Sequence, residues 1–263
     1  MIHFKIYQMH KESSRFAAYC DRAGYERQIV PPSSIKYKYP IALQTPLRKY
    51  PKCVINVVEG DTLEVTRSLQ RSGLKPLTLN MASCHTPGGG WDRGMGAQEE
   101  SLFYRSVYYQ TLKKHFYPLS DDVAVYSPNV TVFRDSNLTN LSPDQCWTAD
   151  FVAVAAIRSP PIINERLPKE LAELTERKLE LIFQIAIKHN HDSLVLSAFG
   201  CGAYANPPEF IMGCFNRLIN KYKESFKQIT FGIIGRDETR SRYFGDVGLD
   251  NLAVFKKGII QDY

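Results

Sequence analysis

From residue 53 onward the chain alternates short apolar runs with amphipathic stretches, and that alternation leaves few architectures open. CVINVVEG, PLTLNMAS, DVAVYSPNVTVFR, WTADFVAVAA, SLVLSAFG and QITFGIIG read as strands, and SLVLSAFG is apolar almost throughout. Between them, DTLEVTRSLQRSG, PKELAELTERKLELIFQIAIKHN and PEFIMGCFNRLINKYKESF place apolar residues at helical spacing, the first ending at Gly73. A strand buried on both faces needs a layer on each side. The βαβ order therefore predicts one α/β/α domain with a largely parallel or mixed sheet. At 263 residues, with 44% hydrophobic and 12% aromatic residues, the chain has enough apolar surface to fill such a core.

Before the alternation begins the pattern differs. Residues 11–23, KESSRFAAYCDRA, predict a short helix ahead of Gly24, and the Pro- and Tyr-rich stretch that follows reads as an extended wrapping segment. The expected division is an N-terminal extension over 1–52, packed on a core over 53–263, within one structural domain. The opening lacks the unbroken apolar core of a secretion signal, and no later stretch is apolar for long enough to span a bilayer. An intracellular, cytoplasmic protein is expected, or a nuclear one in a eukaryote. The six cysteines show no CxxC pair and no zinc spacing, so they read as free thiols and no metal site is expected. Lys and Arg outnumber acids by 33 to 27, but they are scattered. That suits an anionic ligand without requiring a dedicated nucleic-acid surface.

Ligands of such sheets bind outside the carboxyl ends of the strands. Two of those junctions are rich in glycine. In the first, Gly88, Gly89 and Gly90 precede Gln98, Glu99 and Glu100, which open the segment SLFYRSVYYQTLKKHF, read as a helix. In the second, Gly200, Cys201, Gly202, Ala203, Tyr204 and Asn206 precede a helix near Pro208, where free N–H groups suit an anion such as a diphosphate. Neither loop matches GxGxxG or the Walker lysine motif, which disfavours dinucleotide dehydrogenases and nucleoside triphosphatases. Adjacent carboxyls on one helix turn point about 100° apart, so the pair suits one acid/base and one positioning group. The bland readings are a mobile loop before a helix with an acidic first turn, a packing role for Tyr204, turn capping by Asn80 and helix capping by Asp61.

Taken together, Asn80-x-Ala82, Pro87-Gly-Gly-Gly90 and Gln98-Glu-Glu100 resemble the GGG–QEE signature of microbial-type poly(ADP-ribose) glycohydrolases, a branch of the macrodomain superfamily. Gly60-Asp61-Thr62-Leu63, the segment from Tyr126 to Asp135, Gly200-Cys-Gly-Ala-Tyr204 and Asn206-Pro207 follow in the family order, over roughly residues 50–235. The resemblance implies a macrodomain-like three-layer fold with an N-terminal helical and extended segment. It implies Glu100 as catalytic acid/base and Glu99 as holder of the distal ribose hydroxyls, helped by Asn80, with Gln98 ordering the loop. Gly88, Gly89 and Gly90 would line one side of a diphosphate, and Gly200, Cys201, Gly202 and Ala203 the other. Tyr204 would lie over the distal ribose and diphosphate, Asn206 would be a further substrate-binding residue, and Asp61 would read the adenine amino group.

The implied reaction is hydrolysis of ribose–ribose bonds in poly(ADP-ribose), with ADP-ribose as product, no cofactor, no metal and no membrane partner. Hydrolysis of single ADP-ribose groups on protein or nucleic acid, and binding of ADP-ribose without turnover, stay open as alternatives. The loop Trp91-Asp-Arg-Gly-Met-Gly96 is bulkier and more charged than in bacterial members, and Trp91 and Arg93 are read as substrate-facing. The tail beyond residue 240 matches no family role.

Overall fold

The computed structural model describes residues 33–43, 49–164, 166–235 and 250–259. In chain order the elements are β1 (Ile35–Lys38), β2 (Val54–Glu59), α1 (Thr62–Arg71), β3 (Pro76–Met81), α2 (Gln98–Arg105), α3 (Tyr108–Thr111) and β4 (Val123–Val132), then β5 (Trp147–Val154), α4 (Lys169–Lys188), β6 (Ser193–Leu196), α5 (Pro208–Tyr222), β7 (Gln228–Ile233) and α6 (Asn251–Gly258). Seven strands form one mixed sheet in the order β1-β4-β5-β3-β6-β7-β2. The strands from β5 to β2 run parallel, while β4 pairs antiparallel with both β5 and β1.

Alternation along each strand splits the core in two. On β5, Val152 and Val154 join the cluster under α4, α5 and α6, whereas Phe151 and Ala153 join Leu63, Leu102, Phe103 and Tyr108 on the other face. That is the three-layer α/β fold expected from the βαβ order. Each face is closed by helices whose apolar residues are completely buried, such as Leu179, Ile182 and Phe215 on one side and Leu102 and Phe103 on the other.

Three segments differ from the sequence expectation. Residues 35–38 are more than a wrapping segment. They form the edge strand β1, paired with Val123–Tyr126 of β4, and the chain beyond it is pinned to α4 by the Tyr39 hydroxyl on Glu180 at 2.9 Å. The helix expected over 101–116 breaks at Ser106, which is extended (φ −144°, ψ 169°) and bridges to Val132. The physical reason is competition. The carbonyl of Arg105 accepts from Phe133 N (2.9 Å) and Arg134 N (3.2 Å), so the end of β4 takes backbone that a longer helix would use. Part of the unassigned tail is the helix α6, capped by Asp250. The expected helix over 11–23 and the thiol of Cys20 lie outside the described residues; Cys53, Cys84, Cys146, Cys201 and Cys214 are free thiols. Among the described residues no helix is long and apolar enough to cross a membrane, and no group of His, Cys, Asp or Glu is gathered closely enough to hold a metal ion.

Candidate active site

A cleft of about 630 Å³ opens above the carboxyl ends of β3, β5 and β6, the size class of a small-ligand site. Met81, Ala82 and Ser83 line it from β3, Ala156 and Arg158 from β5, and Ala198, Gly200, Gly202, Ala203 and Tyr204 from β6. Gly89, Gly90, Arg93, Met95, Gln98, Glu99 and Glu100 close the remaining side. The two glycine loops are thus brought to face one another, with the paired glutamates between strand end and loop.

Gln98 is set by the sheet itself. β6 pairs with β3 only from Pro76 to Thr78. Beyond that point the carbonyl of Leu79 and the N–H of Met81 bond to the Gln98 amide, at 2.6 and 2.9 Å. A side-chain amide replaces the missing strand neighbour, and α2 is thereby fixed on the end of β3. The next two residues then point where the first turn of α2 sends them.

Glu99 is almost wholly buried and sits in a cage of donors. Its Oε2 accepts from Ser83 N at 2.7 Å, and its Oε1 accepts from Gly88 N at 3.1 Å and Asn80 Nδ2 at 3.3 Å. Burial pushes its pKa up to about 8, against the pull of these donors and with a further push from Glu100. Glu100 is also buried, and it lines the cleft: Oε1 accepts from Gly90 N at 2.9 Å and Oε2 from Ala97 N at 3.0 Å. The second bond is the reach-back half of a capping box, a glutamate three residues into the helix satisfying the N–H before it.

The glycine between these contacts has no room for anything larger. Gly89 has φ +58°, and a Cβ there would lie 2.4 Å from Glu100 Oε1 and 3.2 Å from Glu99 Oε2. The N–H groups of Gly88 and Gly90 are spent on the glutamates, and that of Gly89 on the Thr86 carbonyl at 3.1 Å. Gly88 lies beneath Trp91 and Phe103 and does not line the cleft. The first loop therefore positions carboxyls, where the sequence suggested phosphate contacts.

The second loop is built the other way. Among the described residues the N–H groups of Gly202, Ala203 and Tyr204 have no partner within the protein, so they remain available to an anion. Cys201 differs: its N–H bonds to Ala198 O at 3.1 Å, and its buried thiol faces away from the cleft, with its pKa pushed up by burial. Asn206 does not line the cleft. Its amide donates to the carbonyls of Ile157 (2.8 Å), Gly200 (3.2 Å) and Tyr204 (3.2 Å), bracing this loop against the end of β5. Tyr204 lines the cleft, its hydroxyl accepting from Cys84 N at 3.2 Å.

Asn80 is fully buried, with its amide nitrogen on Glu99 and its Oδ1 without a partner among the described residues. Asp61 stands apart. It caps α1 through Leu63 N (2.9 Å) and Glu64 N (3.2 Å) and pairs with the buried Arg105 at 2.6 Å, outside the cleft lining. Trp91 packs among Phe103, Tyr104 and Tyr109, whereas Arg93 does line the cleft. Sequence reasoning missed Ser83, Ala97 and Arg158. Ala97 was readable as the N-cap position before Gln98; Ser83 and Arg158 follow β3 and β5, where the strand-end rule points.

The pattern of the family described as "Microbial-type PARG, catalytic domain" matches residues 3–135. Solved structures similar to this chain include the poly(ADP-ribose) glycohydrolase of Thermomonospora curvata bound to the inhibitor ADP-HPD, 29% identical with a TM-score of 0.68, covering 78% of each chain. Another structure of that protein is 26% identical with a TM-score of 0.70, covering 85% of each chain. The poly(ADP-ribose) glycohydrolase of Deinococcus radiodurans in complex with ADP-ribose is 22% identical, with a TM-score of 0.69 over 86% of this chain and 93% of that one, and bears on the fold alone. No curated protein matches.

Proposed function

The chain belongs to the family of microbial-type PARG catalytic domains, and we propose that it acts as a poly(ADP-ribose) glycohydrolase with Glu100 as its acid/base. The reaction is hydrolysis of a ribose–ribose O-glycosidic bond, with ADP-ribose as product. The observation that carries the assignment is the fixation of Glu100, held by Gly90 N and Ala97 N at the wall of the cleft, against a glycine too crowded for a side chain.

Breaking a glycosidic bond develops positive charge at the anomeric carbon and negative charge on the departing oxygen. Glu100 protonates that oxygen as the bond breaks. The resulting carboxylate then takes a proton from a water, whose oxygen bonds to the anomeric carbon and completes the hydrolysis. Glu99 serves as the positioning carboxyl for the distal ribose hydroxyls, kept in place by Ser83, Gly88 and Asn80. The free N–H groups of Gly202, Ala203 and Tyr204 receive the diphosphate of the same unit. The geometry supports a structural part for Asp61, Cys201 and Asn206: cap, core side chain and brace.

Product analysis on poly(ADP-ribosyl)ated protein tests this reading. The wild type is expected to release ADP-ribose, and Glu100→Gln to lose about 10²- to 10⁴-fold in turnover while still binding ADP-ribose. Turnover near the wild-type rate in a folded Glu100→Gln variant would overturn the assignment. Release of ADP-ribose only from mono-ADP-ribosylated protein would move the substrate from polymer to single modifications.

A further inference from the structure

The loop that offers free N–H groups has no cation of its own. From Gly200 to Pro208 it carries no charged side chain, and the next charged residue is an acid, Glu209, in the first turn of α5. Backbone N–H groups supply partial charge only. A diphosphate brings negative charge on both its phosphates into a cleft already lined by Glu99 and Glu100. A full positive charge to set against it has to come from another segment.

That segment is the end of β5, which three contacts lace to the loop. Gly200, at φ +72°, sits so close that a Cβ on it would come within 2.5 Å of the Ala156 Cβ. Asn206 Nδ2 donates to Ile157 O at 2.8 Å, and Ser159 N donates to Tyr204 O at 2.8 Å. Arg158 stands between those two hydrogen-bonded residues, so its backbone is seated against the loop. It lines the same cleft as Gly202, Ala203 and Tyr204, it is exposed, and it makes no ion pair or hydrogen bond among the described residues. The two carboxyls in the lining are occupied elsewhere, by the N–H groups of Ser83, Gly88, Gly90 and Ala97.

We propose that Arg158 is a substrate-binding residue whose guanidinium completes the diphosphate site of the released ADP-ribose unit, adding the full positive charge that the N–H groups of Gly202, Ala203 and Tyr204 lack. The inference rests on the reading of the cleft given above and deepens it by naming the counter-charge. Guanidinium suits the task because its fork of N–H donors matches two phosphate oxygens at once. The bracing of Ile157 and Ser159 suits it too, because the cation is carried on backbone that is already fixed beside the anion site.

Arg158→Gln and Arg158→Lys test this, with ADP-ribose affinity measured by calorimetry from low to high salt and the Tm without ligand as the check on folding. Arg158→Gln is expected to bind ADP-ribose about tenfold more weakly at low salt, the scale of one charge-assisted hydrogen bond, with a shallower salt dependence and an unchanged Tm. Arg158→Lys should keep the wild-type salt dependence and recover part of the affinity, since an ammonium keeps the charge and loses the fork. Equal affinity and salt dependence in wild type and Arg158→Gln would overturn the proposal. An Arg158→Lys variant as weak as Arg158→Gln, with the same shallow salt dependence, would overturn it as well, because charge would then not be what the residue contributes. A wild type that binds ADP-ribose and leaves polymer uncut would overturn the glycohydrolase reading alone, because the affinity measurements need no turnover.

Discussion

Glu99 and Glu100 are neighbours in sequence with different surroundings, and the difference is set by which N–H groups surround each. Glu99 faces three donors and the interior; Glu100 faces two donors at the cleft wall. The pKa of Glu99, pushed up by burial from 4.5 to about 8, ties stability to pH. Its proton favours the folded state, so this contribution is complete below about pH 4.5 and is lost as pH rises through about 8. Thermal unfolding from pH 5 to 9 should therefore show wild-type stability falling relative to Glu99→Gln, by an amount on the order of a few kcal/mol at the alkaline end. Parallel pH curves for the two proteins would contradict the burial argument. The identity of these residues was readable in the sequence because adjacent carboxyls after a triple glycine are an unusual arrangement. Their hydrogen bonds were not, because the donors come from Ser83, Gly88 and Gly90, which the chain folds back onto the helix.

At the scale of elements, the clearest division of labour is between α1 and α2. Asp61 caps α1, and through Arg105, which is 2% exposed in its side chain, it ties that helix to the last residue of α2. Glu64 on α1 is the second partner of the same guanidinium. Asp61→Ala removes a cap worth about 1 kcal/mol and half the compensation of a buried charge, so a loss of about 2–4 kcal/mol in denaturant unfolding is expected. ADP-ribose affinity of the folded variant should be maintained; a large loss would return Asp61 to the ligand. The extent of α1 and its end at Gly73 were legible, since cap, period and stop agree within the segment. The break of α2 at Ser106 was not, because the cause is the remote end of β4, and local helical spacing carries no trace of it.

For the molecule as a whole, the cleft exists because three parallel strands end side by side and each passes its chain to a loop on the same rim. Gly202 shows how separate fold and site are there: a Cβ at this position would meet no atom within 4 Å, so a large side chain harms no packing but fills the cleft. Gly202→Trp should unfold at the wild-type temperature without ligand. With ADP-ribose at 100 times its Kd, the wild type should gain about 2.7 kcal/mol and several degrees in Tm, and the variant nothing. An undiminished shift in Gly202→Trp would put the diphosphate elsewhere. The sequence by itself determined the layers, most of the strand and helix order, the two glycine loops and the placing of the paired glutamates at the start of a helix, because these depend on local period, turn composition and residue type. Tertiary structure alone decided that β1 joins the sheet edge, that the first loop spends its N–H groups on carboxyls while the second keeps them free, and that Arg158 enters the cleft. Each of those is a contact between segments distant in the chain, where burial and hydrogen-bond satisfaction over the whole fold outweigh local preference.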